Sequence, residues 1–175
     1  VGVLFADIRG FTAWSEQHSP GEVADRLTGF YGQASRVLTE DDALVEYVGD
    51  QVMALYLTDF PSLGEQTSEV MVSAARRLLS EIQGHGSEEA VPVGVGIHMG
   101  VASVGNIGKG ETKDFTAIGD VVNTAARLQS CALAGQIVVS DEVYAKAASS
   151  CPQAEPASFS VKGKSEPLRA HVIAH

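Results

Sequence analysis

Cysteine is scarce in this chain: it holds only Cys131 and Cys151, in no CxxC or His-flanked spacing. That excludes a disulfide-stapled scaffold and a structural zinc site, and points to a reducing, cytoplasmic compartment with two inert thiols. No apolar run approaches the ~18 residues a membrane span needs, and no signal peptide opens the chain. Positive charge is short too, with 12 Lys and Arg against 22 Asp and Glu and a formal charge of −10. Long-range electrostatics therefore repel nucleic acid and anionic membrane. Any anionic ligand must be held by a metal or by local cations, which the last third supplies as Lys109, Lys113, Arg127, Lys162 and Lys164. No Ser/His/Asp or Cys/His arrangement marks a protein nucleophile.

Neither repeat nor linker divides the 175 residues, enough for one domain with a sizeable core. Apolar residues at 45% and charged residues at 19% give an ordinary globular balance. The chain opens on Val1 inside a strand pattern and without an initiator Met, so it reads as a single domain, 1–175, excised from a larger regulated protein that is itself soluble or membrane-attached.

Val1 to Ala6 is a buried strand that delivers Asp7 to its end, followed by a one-glycine turn, Ile8-Arg9-Gly10-Phe11-Thr12. Ser19 and Pro20 start an amphipathic helix that runs to about Arg36–Leu38. Ala43 to Val48 and Gln51 to Leu57 flank Gly49-Asp50 as a hairpin with Asp50 at its tip. A loop over 61–66 leads to a second helix, Thr67 to Gln83, which Gly84 stops. Val91 to His98 is a strand whose glycines at 94, 96 and 100 suggest close packing over it, with Val101 to Ile107 as its hairpin partner. Gly108 to Lys113 is a charged, flexible connection. A helix over Val121 to Cys131, a strand over Gln136 to Ser140 and a helix over Asp141 to Ala148 follow. Strands over Phe159 to Lys162 and Leu168 to Ala174 close the chain. This βαββαβ order with extra C-terminal strands and helix is that of an α+β, ferredoxin-like split βαβ sheet.

Four constellations carry chemistry. In such a sheet a strand-end Asp7 and a hairpin-tip Asp50 converge, and two carboxylates at one point bind one or two Mg²⁺ ions against triphosphate oxygens. The turn after Asp7, with Gly10, Phe11 and Thr12, can aim backbone N–H groups at phosphate. The plain alternative is that Asp7 caps a turn and Asp50 merely suits a hairpin. Asn123 and Arg127, four apart on one helix face, offer an amide for a sugar oxygen and a guanidinium for phosphate, or else form an exposed polar face. Glu46 sits in an apolar strand, where an acid needs a donor to meet unless the position is a solvated edge; Thr116 joins it as the third constellation. Val161-Lys162-Gly163-Lys164 is a basic turn suited to a triphosphate, or simply a surface turn.

These segments together resemble the catalytic domain of class III nucleotidyl cyclases. The matching tracts are 5–12, 47–50, 94–100, 105–108, 114–127 and 161–164, in order and over nearly the whole chain. The tract 114–120 looks most like the bacterial subclass with Thr at the base-recognition position. The resemblance implies a lyase that converts ATP or GTP to the 3′,5′-cyclic monophosphate and pyrophosphate. It implies a head-to-tail homodimer with active sites at the interface. Asp7, the Ile8 backbone and Asp50 of one chain would hold two Mg²⁺ or Mn²⁺ ions. The partner would supply Asn123 for the ribose and Arg127 for charge on the α-phosphate. Lys164, or else Lys162, would meet the terminal phosphates, and Glu46 and Thr116 the base.

Adenylate cyclases of this subclass usually carry Lys in place of Glu46, and guanylate cyclases pair Glu with Cys in place of Thr116. A carboxylate suits guanine N1–H and N2–H₂, whereas a hydroxyl is indifferent, so the purine choice leans slightly to GTP. Three other readings compete: an adenylate cyclase with an unusual base pocket, a silent nucleotide-binding or dimerising module, and a diguanylate-cyclase or polymerase-palm relative. The last lacks its Gly-Gly-Asp/Glu-Glu-Phe hairpin here.

Overall fold

Strand β1 (Gly2–Ile8) is apolar on both faces and buried almost throughout, the pattern of a central strand. In the computed structural model it pairs antiparallel with β3 (Gln51–Tyr56) on one side and β4 (Val93–Met99) on the other. The structure describes residues 1–58, 66–83, 91–109, 112–161 and 166–174, with the backbone alone for 108, 109 and 112–114. Edge strand β2 (Leu44–Val48) completes the order β2-β3-β1-β4, the ferredoxin-like βαββαβ arrangement expected from the sequence.

Beyond β4 the sheet continues through β7 (Gln136–Ser140), parallel to β4, then β9 (Leu168–Ala174) and β8 (Glu155–Phe159). Seven strands thus form one mostly antiparallel sheet. Helix α2 (Pro20–Thr39) starts on a capping box in which Ser19 Oγ accepts from the Glu22 N–H and Glu22 reaches back to the Ser19 N–H. With α3 (Thr67–Gln83) it covers the face of Leu4, Ala6 and Ile8, burying Phe30, Leu38, Met71, Leu78 and Leu79. The opposite face, Val3, Phe5, Met53 and Leu55, is covered by Val121 and Ala125 of α4 (Asp120–Cys131). Among the described residues no helix is long and apolar enough to cross a membrane.

Four expectations need correction. Residues 101–107 are not the hairpin partner of β4. Both edges of β4 are taken, by β1 and β7, and β5 (Ser103–Lys109) pairs instead with β6 (Thr112–Ile118) as a separate two-stranded sheet. The stretch 108–113 consequently belongs largely to those two strands, not to a flexible connection. The turn after Asp7 is shorter than expected, because a one-turn helix, α1 (Phe11–Ser15), begins right after Gly10 at φ 71°. The penultimate strand also ends earlier, at Phe159. Helix α5 (Asp141–Ala147) lies where expected. Residues 61–65 of the expected loop 61–66, the Gly84 stop and residues 162–164 of the expected basic turn 161–164 lie outside the described residues.

The glycines of β4 do have something packed over them. A β-carbon on Gly96 would come within 2.1 Å of the Gln129 backbone N and 2.6 Å of the Ala125 carbonyl oxygen, so α4 rests on bare backbone. This contact sets the height of α4 above the sheet, and with it the height of Asn123 and Arg127.

Candidate active site

The fold sets the backbones of Asp7 and Asp50 side by side. The pairing of β1 with β3 sets Asp7 beside Gln51, and the Ile8 N–H donates to the Asp50 carbonyl at 3.3 Å. Gly49, at φ 62°, turns the chain between β2 and β3. The Tyr31 hydroxyl, from α2, donates to the Gly49 carbonyl and anchors the tip, with the Tyr47 ring 4.5 Å from its own.

The Asp7 side chain is 15% exposed and engaged twice, by Gln51 Nε2 on Oδ2 at 2.9 Å and by Arg9 Nη2 at 3.4 Å from Oδ1. Burial pushes its carboxyl above the ordinary value; the Gln51 hydrogen bond and Arg9 oppose that shift, and the Asp50 charge adds to it. Among the described residues no three His, Cys, Asp or Glu side chains converge to hold a metal. Two carboxylates are nonetheless the donor set that suits Mg²⁺ or Mn²⁺, which take their remaining oxygens from phosphate and water. The backbone of Ile8 lies within the same turn. Gly10 to Thr12 open α1, whose first N–H groups have no partner within the helix.

Glu46 and Thr116 also meet. Glu46 stands in a cross-strand row with Met53 and Phe5, on the face that α4 and β6 cover. The Thr116 hydroxyl donates to Glu46 Oε2 at 3.2 Å, which gives the half-buried acid a donor. The other oxygen, Oε1, is buried without a hydrogen-bond partner.

Asn123 is exposed and Arg127 half-buried on the outward flank of α4, while Val121, Thr124, Ala125 and Leu128 turn inward. Arg127 Nη1 is buried with no hydrogen-bond partner. Lys162 and Lys164 lie outside the described residues. A cavity of about 900 Å³ lined by Val1, Met99, Val104 and Phe115 among others contains none of the candidate residues. Cys131 and Cys151 are unpaired, and burial raises both thiols above their ordinary value, as inert cysteines require.

Sequence reasoning missed four supporting residues: Gln51 and Arg9 on Asp7, Tyr31 under the hairpin tip, and Gln129 beneath Arg9. Arg9 alone carried a signal, as the one cation inside the opening motif.

Residues 1–174 match the family described as the adenylate and guanylate cyclase catalytic domain. An adenylate cyclase of Anabaena cylindrica is 28% identical over 182 residues, covering 98% of this chain and 36% of that protein. The chain thus spans about a third or less of the length of the curated relatives it matches. The crystal structure of the adenylyl cyclase CyaB from P. aeruginosa superposes with a TM-score of 0.82 at 27% identity, over 99% of this chain and 93% of that one. The guanylyl cyclase Cya2 gives 0.78 at 26% identity, over 98% and 90%. With a family match that spans residues 1–174, the chain belongs to the adenylate and guanylate cyclase catalytic domain family.

Proposed function

We propose that the chain cyclises a purine nucleoside triphosphate, GTP in preference to ATP, at two equivalent sites of a head-to-tail homodimer. The observation that carries the reading is the convergence of Asp7 and Asp50, 43 residues apart in sequence, at one strand end. The two carboxylates and the Ile8 backbone would hold two Mg²⁺ or Mn²⁺ ions. Once bound, those ions would neutralise charge on the triphosphate and would acidify the ribose hydroxyl. The N–H groups of Gly10, Phe11 and Thr12 meet phosphate oxygens, and Lys164, before Lys162, the terminal phosphate.

The ribose 3′-oxygen attacks the α-phosphorus in line. Its new bond to phosphorus replaces the bond to the β-phosphate oxygen, pyrophosphate leaves, and the 3′-proton passes to Asp7 or to water. From the partner, Asn123 orients the ribose and Arg127 meets the charge that grows on the α-phosphate. No covalent enzyme intermediate forms, so catalysis is positioning plus electrostatics. The buried, unpartnered Nη1 of Arg127 supports this role, since a native chain seldom leaves such a donor idle.

Base choice follows from hydrogen-bond polarity. Thr116 spends its proton on Glu46, leaving Glu46 Oε1 and the lone pairs of the hydroxyl as acceptors. Guanine presents donors at N1 and N2 to such a pair. Adenine presents an acceptor at N1.

The dimer is supported by exposed Leu44 and Val48, which share the Glu46 face of edge strand β2, and by Phe115 and Ile118 on β6, at 46% and 56% exposure. A nucleoside triphosphate substrate and two free thiols support a cytosolic location. The test is incubation with Mn²⁺ and each nucleotide across a range of protein concentration, followed by separation of products. Cyclic GMP should dominate and rise faster than linearly with protein. No cyclic product from either purine would overturn the enzyme reading.

A further inference from the structure

Arg9 stands between the two half-sites and takes part in neither. It leaves β1 two residues after Asp7, and its own N–H is fixed to the Pro92 carbonyl at 2.6 Å. One guanidinium nitrogen, Nη2, lies 3.4 Å from Asp7 Oδ1 and donates to the Gln129 carbonyl on α4 at 3.0 Å. The side chain lies over Gly94, where a β-carbon would come within 2.8 Å of Arg9 Nε, and Nε is buried without a partner. Gln129 is 2% exposed, so the floor beneath Arg9 is closed. The guanidinium is thus a fixed charge rather than a mobile surface one.

We propose that Arg9 is a resident counter-cation: it neutralises Asp7 in the metal-free chain and holds down the affinity for free divalent metal until a triphosphate arrives. This rests on the reading of Asp7 as a metal ligand. A cation approaching Asp7 alone meets an anchored positive charge at contact distance from one of its ligand oxygens. A nucleotide triphosphate brings about four negative charges, which cancel that repulsion, so metal and substrate bind together far better than metal alone. The same guanidinium holds α4 through Gln129, and α4 carries Asn123 and Arg127. Arg9 is therefore a positioning residue for both half-sites. Lys in its place keeps the charge but puts it on a flexible stem and loses the planar group that lies over Gly94.

The test is Mn²⁺ binding without nucleotide, read from loss of the free-ion paramagnetic resonance signal, on the parent chain, R9Q, R9M, R9K and D7N. Melting temperature is read on each. Removing one contact charge should make R9Q and R9M bind free Mn²⁺ about tenfold tighter, the order of a unit-charge repulsion in water-like surroundings. Both should turn over more slowly, so affinity and kcat move in opposite directions. R9K should keep the parent's affinity within about twofold and lose kcat, because the charge is separable from the rigid planar group that fixes its position. Saturating non-hydrolysable GTP analogue should shrink the tenfold gap. R9M keeps the apolar stem over Gly94 and serves if R9Q melts early. Equal or weaker Mn²⁺ binding by the charge-removing variants, as a merely structural Arg9 requires, would overturn the proposal. If D7N still binds Mn²⁺ like the parent, the metal assignment itself falls, whatever Arg9 does.

Discussion

Glu46→Lys turns the polarity of the base pocket around. In the parent, Glu46 Oε2 takes the Thr116 proton at 3.2 Å while the buried Oε1 waits for a partner. Lysine replaces two acceptors with donors only, and its stem can lie along Met53 and Phe5 in the same cross-strand row. Guanine N1–H and N2–H₂ then face an ammonium, whereas adenine N1 gains a donor. Two hydrogen bonds to a charged acceptor are worth roughly 1.5–3 kcal/mol each, so GTP loses about 3–6 kcal/mol of transition-state binding. In kcat/KM that is about 10²- to 10⁴-fold against GTP relative to ATP. Initial rates with each nucleotide under Mn²⁺ measure the ratio, and the melting temperature confirms that the variant is folded. A folded variant whose GTP/ATP ratio stays within about threefold of the parent's would refute the pocket assignment. A parent that turns over ATP faster than GTP would refute the polarity argument even if Glu46 faces the base.

Gly96→Ala should lift α4 off the sheet, because the added carbon would meet Gln129 and Ala125 backbone, which cannot yield like a side chain; a loss of about 3 kcal/mol or more by denaturant unfolding is expected, with activity falling further. Mixing an Asp7→Asn chain with an Arg127→Ala chain, each inactive alone, should restore about a quarter of parental turnover, since half the dimers then hold one intact site; no recovery would place all these residues in one chain's site. Burial already raises the Asp7 carboxyl, and Gln51→Leu removes the hydrogen bond that opposes this shift. Protonated Asp7 cannot hold metal, so Mn²⁺ affinity should fall on acidification, with a midpoint higher in Gln51→Leu than in the parent; an unmoved midpoint would show that another group controls the titration.

The apolar run 1–6 and the helical spacing over 67–83 were legible because burial on two faces, or on one stripe, leaves a mark on the sequence. Asp7 and Asp50 were legible for a related reason: strand ends and Gly-Asp tips restrict where a carboxylate can stand. The β5–β6 pairing was not. Its residues suit a partner on either side, and what excludes β4 is that β7, over thirty residues later, already occupies that edge. The glycine at 96 told that something packs closely, but not that it would be the backbone of α4. Gln51, Tyr31 and Gln129 were hidden because each acts through a contact between distant segments, with no periodicity to announce it.

Eight side-chain atoms among the described residues are buried without a hydrogen bond, and four belong to Arg9, Glu46, Arg127 and Gln129. Each such atom costs the fold about 1–3 kcal/mol, so their gathering around one function asks for a ligand that relieves part of the cost. Two of them, Glu46 Oε1 and Arg127 Nη1, are the groups assigned to base and phosphate. A non-hydrolysable GTP analogue with Mn²⁺, at a hundred times its dissociation constant, should then stabilise the chain by about 2.7 kcal/mol. For a chain of this size that is about 5–10 °C in melting temperature. The discriminating comparison is Glu46→Gln with Arg127→Met. Each removes the unpartnered group or its charge with little loss of bulk, so each should melt at or slightly above the parent without ligand and gain far less from it. If both variants lose stability without ligand and keep the full ligand shift, these atoms serve the fold alone, and the base and phosphate assignments fail together.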